Sequence, residues 1–461
     1  MEASWVALLV GGAGAFLLPS RVLLVWGIPA LMVLSAAGVL GPVPSIGEAD
    51  IQVFDFVLLG VALKTAVRIM LARSQLHVEP VYRTIVAFLS TLLAATLAAY
   101  FRFGSEVFVG EIVAFLRLVA QASVVFLTAQ AVRTQVHVAR AERYLDYAGY
   151  LVLATIYLNI WLIQIGKPLG EVQVQESVIR YFGPLGDQVG FLLIYFVYKQ
   201  LLLRNFLRAW LFGTAIILTG TRGALISLVI GLLVLAWHRR HYFGRGPARL
   251  ILVVLGFFAA LSVAVWFDLG GMLSRLLEGE VLKGGVMQRW LTASIALRVF
   301  ADNVLTGVGF TGFRYVALDY GAVELAIKEL GGFAPNFVVT TGNQFLQVLT
   351  DGGIIALAIF IWMVVASGRT LQRAEVRASG EQGTSFAAGY LWLLSLAVGN
   401  QTAAWILPGS LISYLLWVLL GLAVAVNQNR QLSGRMALTE AVAGAALDRA
   451  KRNPRNVNPD H

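Results

Sequence analysis

Apolar residues run along most of this chain in unbroken stretches, and polar residues are concentrated in the links between them. Most stretches approach ~20 residues, the length at which an α-helix crosses the ~30 Å hydrocarbon layer of a bilayer. Their continuous rather than alternating apolar character favours helices over a barrel. A further short, glycine-rich segment at 4–18 leaves a count of thirteen open. The pattern predicts an all-α polytopic membrane protein with about twelve transmembrane helices, at 22–40, 51–71, 84–101, 112–132, 148–165, 183–203, 206–220, 223–238, 249–267, 345–367, 388–406 and 409–427.

The long interruption in this pattern is 268–344, which is not of low complexity. Apolar positions recur at helical spacing in 287–302, which predicts an amphipathic helix that ends at Asn303 or Gly307. The glycine-rich segment 307–312 predicts a turn, and a second helix is expected at about 319–330. A long, partly helical loop between membrane helices suggests a lid over a membrane-embedded substrate.

The charge of the links predicts the orientation. Of the 35 Lys and Arg residues, 22 fall in one alternating set of links and in the tail. Positive residues concentrate on the cytoplasmic side, so 268–344 is expected on the outer, periplasmic side. The same rule accounts for the net charge of +10, so no nucleic-acid partner is expected. The predicted regions are N-terminal transmembrane helices (1–267), a periplasmic loop or lid (268–344), C-terminal transmembrane helices (345–427) and a cytoplasmic tail (428–461).

Composition narrows the chemistry further. The chain is 58% hydrophobic and 13% charged, as expected for a membrane protein, and it has no cysteine. Disulfides and thiolate metal sites are therefore excluded. Of the five histidines, only His238 and His241 are close in sequence, and they lie in a basic link. No metal site and no cofactor are expected.

Arg222 is the first candidate functional residue. It lies in Leu-Thr-Gly-Thr-Arg-Gly-Ala-Leu at 218–225, between two apolar runs and near the outer membrane boundary. A charge at this depth is costly and is usually paired or functional. The next helix is expected to begin here, and a helix N-terminus together with a planar guanidinium suits a phosphate. The alternative is an arginine that only extends to the interface.

Two further segments carry candidate residues. Arg289 lies on the predicted amphipathic helix, where the alternative is a solvated arginine on a lid. In Thr341–Ile355 the residues Asn343, Gln344 and Asp351 are polar at near-helical spacing, where the chain re-enters the membrane. Helix capping by Asn343 and polar packing between helices are the alternatives to substrate binding.

These three segments resemble the O-antigen ligase and polymerase superfamily. Thr-Gly-Thr-Arg-Gly-Ala-Leu is similar to its S-R-G-A signature. The stretch from Arg289 to Phe313 resembles its R…W…A…F…P-L-x-G-x-G-x-G-x-F block, and the stretch from Asn343 to Ile355 resembles H-N-x-x-L-Q-x-L-x-E-x-G-x-x-G. The blocks occur in the family order over about 220–360, and the multi-span layout extends the similarity.

The resemblance implies a membrane glycosyltransferase of the bacterial inner membrane, with an active site that faces the periplasm. Its donor is a sugar chain on polyprenyl (undecaprenyl) pyrophosphate. Arg222 and Arg289 match the arginines that engage the pyrophosphate, and they are the expected catalytic residues. Arg314, Asn343 and Gln344 are the expected substrate-binding residues. Arginines in place of a cation imply a metal-independent reaction.

Gly342 departs from the family pattern, since ligases carry a histidine at this position. This difference favours an O-antigen or exopolysaccharide polymerase, with transfer to a second lipid-linked repeat unit, over an O-antigen ligase, with transfer to lipid A-core. A lipid-linked oligosaccharide flippase or transporter is the third interpretation. The expected partners are the lipid-linked oligosaccharide, membrane lipid and a chain-length regulator. The candidate general bases, among which the sequence does not choose, are Asp302, Asp319, Glu324 and Asp351.

Overall fold

The computed structural model describes part of the chain. Predicted spans 22–40 and 249–267, the segment 4–18 apart from Leu17, and 430–461 lie outside the described residues, as does most of 51–71. The described ranges are 80–132, 135–165, 173–175, 178–180, 186–219, 221–238, 279–330, 341–378, 380–399 and 412–429, with Leu17, Glu79 and scattered positions between 57 and 70.

Helices account for nearly all of these residues. The exception to the all-α prediction is a small antiparallel hairpin, in which Gln173 pairs with Arg180. In chain order the elements are α1 (Pro80–Phe103), α2 (Ser105–Ala131), α3 (Gln135–Gln164), β1 (Gln173–Gln175), β2 (Val178–Arg180), α4 (Gly186–Leu202), α5 (Phe206–Leu218), α6 (Arg222–His238), α7 (Gly279–Asp302), α8 (Phe313–Val316), a 3-10 turn (Ala317–Tyr320), α9 (Ala322–Leu330), α10 (Gln344–Arg377), α11 (Glu381–Gly399) and α12 (Ile412–Asn429).

The helix boundaries follow from local sequence. Pro80 is the first residue of α1, where its missing N–H costs no helical hydrogen bond. Asn205 precedes α5, and its side-chain oxygen accepts the N–H of Arg208 at 3.3 Å. Asn343 caps α10 in the same way, with N–H groups from Phe345 and Leu346. Each cap satisfies donors that a helix N-terminus leaves unbonded.

Four helical segments among the described residues are long and apolar enough to cross a membrane: α1, Gly110–Ala131 of α2, α10 and α12. Shorter apolar segments at Gln188–Leu202, Phe206–Leu218 and Gly223–Leu235 coincide with three more predicted spans. Predicted spans 148–165 and 388–406 fall on α3 and α11. The described chain is therefore a helical, multi-pass membrane protein, and the total of about twelve spans stays a prediction.

The helices pack around one large apolar core. α1 lies against α10, α4 against α5, and α11 against α4, α6 and α10. Trp392 of α11 is completely buried and donates its indole N–H to the carbonyl oxygen of Phe191 in α4 at 2.8 Å. An indole buried among apolar neighbours needs such a partner. This bond fixes α11 against α4.

Two contacts define the ends of the bundle. Where α1 ends, the Arg102 guanidinium donates to the side-chain oxygen of Asn303, just after α7. We call this the loop end, and α10 begins there. Where α10 ends, Arg377 Nη1 donates to the backbone oxygen of Asn427 in α12 at 3.2 Å. We call this the basic end, because the links predicted to be cytoplasmic lie there.

The described part of the loop, 279–330, has a small core of its own. Leu291, Ile295 and Val299 line one stripe of α7 and pack with Phe313 of α8 and Ala322 of α9. The predicted amphipathic helix is thus confirmed, and it begins earlier than predicted, at Gly279. It ends before Asn303, as predicted. The second predicted helix is divided into the 3-10 turn and α9.

Candidate active site

Arg222 is the first residue of α6, as the sequence predicted. The turn before it is packed tightly, because a side chain at Gly190 of α4 would lie 2.9 Å from Thr219 Oγ1 and 3.2 Å from Thr221 Cβ. Thr219 Oγ1 also donates to the carbonyl oxygen of Ile216 at 2.7 Å. The backbone of Arg222 is thus fixed at the N-terminus of α6, which has unbonded N–H groups and the positive end of the helix dipole. Its side chain lies outside the described atoms.

Arg289 lies on α7, and its side chain is exposed. Arg298, two and a half turns further along the same helix, is also exposed. The stripe of Leu291, Ile295 and Val299 holds α7 on the loop core, so both arginines have a fixed backbone and accessible side chains.

A break in α10 receives the glycine-rich turn of the loop. Gly353 has a φ of +70° inside the helix, a backbone conformation that favours glycine. The N–H of Ile354 donates to the carbonyl oxygen of Val304 at 2.9 Å rather than within the helix. In exchange, the N–H of Val308 binds the carbonyl oxygen of Thr350, also at 2.9 Å. The loop and the broken helix therefore satisfy each other's backbone groups.

Asp351, beside this break, is fully enclosed. Its Oδ2 accepts the backbone N–H of Thr311 at 3.0 Å, and its Oδ1 accepts Gln347 Nε2 at 2.9 Å. Gln347 Oε1 in turn accepts the N–H of Thr341 at 2.9 Å. The carboxylate thus links the turn at 307–312 to α10 and to the residue before the Asn343 cap.

Glu111 of α2 lies on the other side of the same turn. It is 0% exposed, and neither carboxyl oxygen has a hydrogen-bond partner among the described residues. A side chain at Gly309, where φ is +92°, would overlap Glu111 Oε2. A side chain at Gly312 would lie 2.5 Å from Oε1. These two glycines therefore allow the turn to lie directly on the carboxyl group.

Arg314 follows this turn at the start of α8. Its guanidinium lies over the ring of Tyr315, with Cζ 4.5 Å from the ring centroid, and donates to the Tyr315 hydroxyl. Its Nε is buried and has no described partner. A side chain at Gly110 would lie 3.0 Å from Arg314 Nη2, which places the cation beside Glu111. The structure thus brings together Arg314 and Asp351, which the sequence had named separately.

Two predicted substrate-binding residues, Asn343 and Gln344, lie at the start of α10. Asn343 caps the helix with its side-chain oxygen, and Gln344 is 2% exposed. Gly342 has a φ of +68°, but a Cβ there would meet nothing within 4 Å. A histidine at this position would have room and would adopt a strained backbone conformation. Substrate binding by Asn343 and Gln344 stays a prediction.

The other candidate bases are exposed: Asp302, Asp319 and Glu324. Asp302 accepts a hydrogen bond from Tyr320, and burial first, then this bond, raises the pKa of the phenol. Among the residues that the structure describes, no cluster of three His, Asp or Glu side chains is arranged to hold a metal ion. Of the four candidate bases, only Asp351 is enclosed, beside Glu111.

Glu111 was missed by the sequence interpretation. It lies directly before the predicted span 112–132 in α2. An acidic residue next to about twenty apolar residues could have marked it as a candidate functional residue. The signal is weak, because an acid at a span boundary is usually solvated. Its contact with a turn some 200 residues later became visible only in the structure.

The loop-end cluster comprises Glu111, Arg314, Asp351 and the turn at 307–312, and all of it except Glu111 falls inside a segment that is recognised by comparison. Residues 207–361, about a third of the chain, match the family described as O-antigen ligase. No curated protein matches the chain. The matched segment includes α6 with Arg222, α7 with Arg289, the glycine-rich turn and the broken part of α10. The chain thus carries the signature of the O-antigen ligase and polymerase superfamily, as its motifs predicted.

Proposed function

We propose that this protein is an O-antigen or exopolysaccharide polymerase of the inner membrane. It transfers a glycan from undecaprenyl pyrophosphate to the non-reducing sugar of a second lipid-linked repeat unit at the periplasmic face. The observation that carries the proposal is the arrangement of the family-matched segment 207–361. Arg222 at the N-terminus of α6 and Arg314 just after the enclosed turn belong to it, and so does Arg289, exposed on α7.

The proposed reaction is a displacement at the anomeric carbon. The bond between this carbon and the pyrophosphate oxygen breaks, and a bond to the acceptor hydroxyl oxygen forms. The hydroxyl proton passes to a base, and undecaprenyl pyrophosphate leaves. Arg222, Arg289 and the N–H groups of α6 stabilise the negative charge that grows on the pyrophosphate. No metal ion is needed for this task, since guanidinium groups match phosphate oxygens directly.

Gly342 favours the polymerase over the ligase. Ligases of the family carry a histidine here, whereas this chain has a glycine. The ligase is the second candidate, because the matched family is described by that activity. Transfer to lipid A-core would use the same donor and the same arginines, with a different acceptor.

The test uses the purified full-length protein in lipid nanodiscs with a lipid-linked repeat unit as the only substrate. A ladder of longer lipid-linked chains is expected. Product that forms only after lipid A-core is added contradicts the polymerase and supports the ligase. Movement of the substrate across the bilayer of sealed proteoliposomes without any new glycosidic bond supports a transporter and contradicts both. Strict dependence on added Mg²⁺ contradicts the metal-independent mechanism.

Arginine variants test the pyrophosphate contact in the same assay. Arg222→Ala and Arg289→Ala are each expected to reduce product at least about a hundredfold, equivalent to ~2.7 kcal/mol of transition-state stabilisation. Arg298→Ala is the matched control, since Arg298 is also exposed on α7, and it is expected to stay within about threefold of the wild-type rate. Equal losses in Arg289→Ala and Arg298→Ala would show that activity depends on the total charge of α7 and not on a specific contact of Arg289.

A further inference from the structure

Glu111 is the starting point, because a carboxyl group enclosed without hydrogen bonds is costly. Its side chain is 0% exposed, and both oxygens lack partners among the described residues. An isolated carboxylate in such surroundings loses the hydration that stabilises its charge. A group that has been retained there therefore needs either a counter-charge in contact or a bound proton.

Asp351 differs from Glu111 in its donors. The backbone N–H of Thr311 and the side-chain amide of Gln347 each donate to one of its oxygens, at 3.0 and 2.9 Å. Donors that converge on a carboxyl group favour its ionised form. Of the two carboxyl groups, Asp351 is therefore the better site for a negative charge.

A backbone acceptor lies near Glu111. The Cβ position of Gly312 lies next to both Glu111 Oε1 and the carbonyl oxygen of Val308. The charged groups that act on Glu111 are Asp351 of α10 and Arg314 of α8. With Asp351 ionised, Arg314 charged and Glu111 protonated, the enclosed cluster has no net charge. Two ionised carboxyl groups would leave a net negative charge in a low-dielectric site, which is unfavourable.

We propose that Glu111 is a positioning residue that acts in its protonated form: it supports the turn at Gly309 and Gly312, while the ionised carboxylate of Asp351 holds the N–H of Thr311. Together they fix Arg314, which directly follows the turn. The inference rests on the proposed function, because Arg314 is taken as a contact for the lipid-linked donor. A neutral amide should replace Glu111, whereas Asp351 has to remain an acceptor on both oxygens.

The test compares two isosteric substitutions and one truncation in the full-length protein in nanodiscs. Glu111→Gln keeps the shape and a donor, Glu111→Ala removes the support, and Asp351→Asn presents an NH₂ group to an N–H donor. Backbone hydrogen exchange over 305–315 is measured by mass spectrometry, together with the melting temperature. The KM for the lipid-linked donor is measured in the ladder assay.

Glu111→Gln is expected to show wild-type exchange and a KM within about twofold. Asp351→Asn and Glu111→Ala are expected to accelerate exchange in 305–315 and to raise the donor KM at least tenfold. A Glu111→Gln variant as impaired as Asp351→Asn would overturn the proposal, since it would show that the ionised form is required. Wild-type exchange and KM in Glu111→Ala would also overturn it. Hydrogen exchange does not depend on catalytic turnover. If the variants show the expected exchange but the wild-type protein makes no ladder, only the proposed function is rejected.

Discussion

Two groups of buried charges lie toward opposite ends of this helical bundle. Near the basic end, Lys199 Nζ of α4 lies 2.6 and 2.7 Å from the two carboxyl oxygens of Asp146 in α3. At the loop end, Asp351 accepts N–H groups from a turn and a side-chain amide, and Glu111 lies unbonded beside it. The first group joins two helices by direct charge pairing. The second joins a loop to a broken helix by backbone hydrogen bonds.

This difference separates a structural role from a functional one. A paired lysine and aspartate satisfy each other, so their removal is expected to affect mainly stability. The loop-end cluster contains two unsatisfied groups, Glu111 and the Nε of Arg314, and it positions a cation within the family-matched segment. Buried groups that are held without full partners call for an explanation, and a catalytic role is one such explanation. The loop-end variants should therefore affect catalysis more than melting, and the Lys199 and Asp146 variants should do the reverse.

Of the substitutions that test this comparison, Gly309→Ala is expected to affect activity most. A methyl group there would overlap Glu111 Oε2 and lie 2.8 Å from Ala99 Cβ, so the turn has to leave its place. A loss of glycan transfer of at least about tenfold is expected, since small shifts of a positioned cation remove the stabilisation that it gives. The rate is measured in the ladder assay at equal amounts of folded protein.

Gly104→Ala is the matched control for this substitution. Gly104 has a φ of +91°, against +92° at Gly309, but a Cβ there meets nothing within 4 Å. It therefore shares the positive φ, which costs a residue other than glycine ~1–3 kcal/mol, without the overlap. Transfer within about twofold of wild type is expected. Similar losses in both variants would mean that backbone conformation alone, rather than the contact with Glu111, explains the effect.

The sequence predicted the parts of this site that depend on neighbouring residues. Arg222 was placed at a helix start because an apolar run resumes there, and Asn343 could be recognised as a cap for α10. The turn at 307–312 was predicted from its glycines. Its docking on Asp351 was not, because the two segments are about 40 residues apart and no local pattern joins them.

The break in α10 shows the same limit at a single residue. Gly352 and Gly353 suggest close packing or a kink, but the sequence does not tell which one leaves the helical conformation. Gly353 does, since the carbonyl groups of Val304 and Leu305 lie where its side chain would be. The docked loop determines which glycine leaves the helical conformation, and helix propensity, a local property, contains no information about the loop.

The next largest effect is expected on stability, from Lys199→Met. Lys199 is 3% exposed, and its removal leaves the partly buried Asp146 carboxylate without its cation. The expected cost is up to ~3 kcal/mol, near the lower limit for breaking a buried pair. It should appear as a lower melting temperature in nanodiscs, with the rate of glycan transfer per folded molecule unchanged below the transition.

A double-mutant cycle with Asp146→Leu completes this test. Replacing both partners by apolar residues should recover much of the stability that either single variant loses, since no unpaired charge remains. Additive losses would mean that the two side chains contribute independently. A loss of catalytic rate in folded Lys199→Met would contradict the assignment of a structural role to the group at the basic end and a functional role to the group at the loop end.

The smallest effect is expected from Glu142→Gln, near the ion pair at the basic end. Glu142 is 5% exposed. Burial raises the pKa of its carboxyl group to about 7, against the opposing effect of Lys199 and with a further increase from Asp146. The folded protein therefore holds this proton more tightly than the unfolded chain, so the contribution of Glu142 to stability is greatest below about pH 4.5. It is lost as the pH rises from the ordinary value of 4.5 to about 7.

An uncharged glutamine lacks this penalty, so Glu142→Gln should raise the melting temperature by a few degrees at pH 8 and change it little at pH 5. The relevant quantity is the difference between the two pH values, because it cancels any effect of the substitution on packing. Asp146→Asn does not serve as a control, since it also breaks the ion pair. Thr384→Ser serves as the control, because Thr384 has no titrating group and is the neighbour in sequence of Ser385, which forms a hydrogen bond with Glu142. An equal shift at both pH values would show that Glu142 stays ionised in the folded protein, and Lys199 would then have to balance two carboxylates.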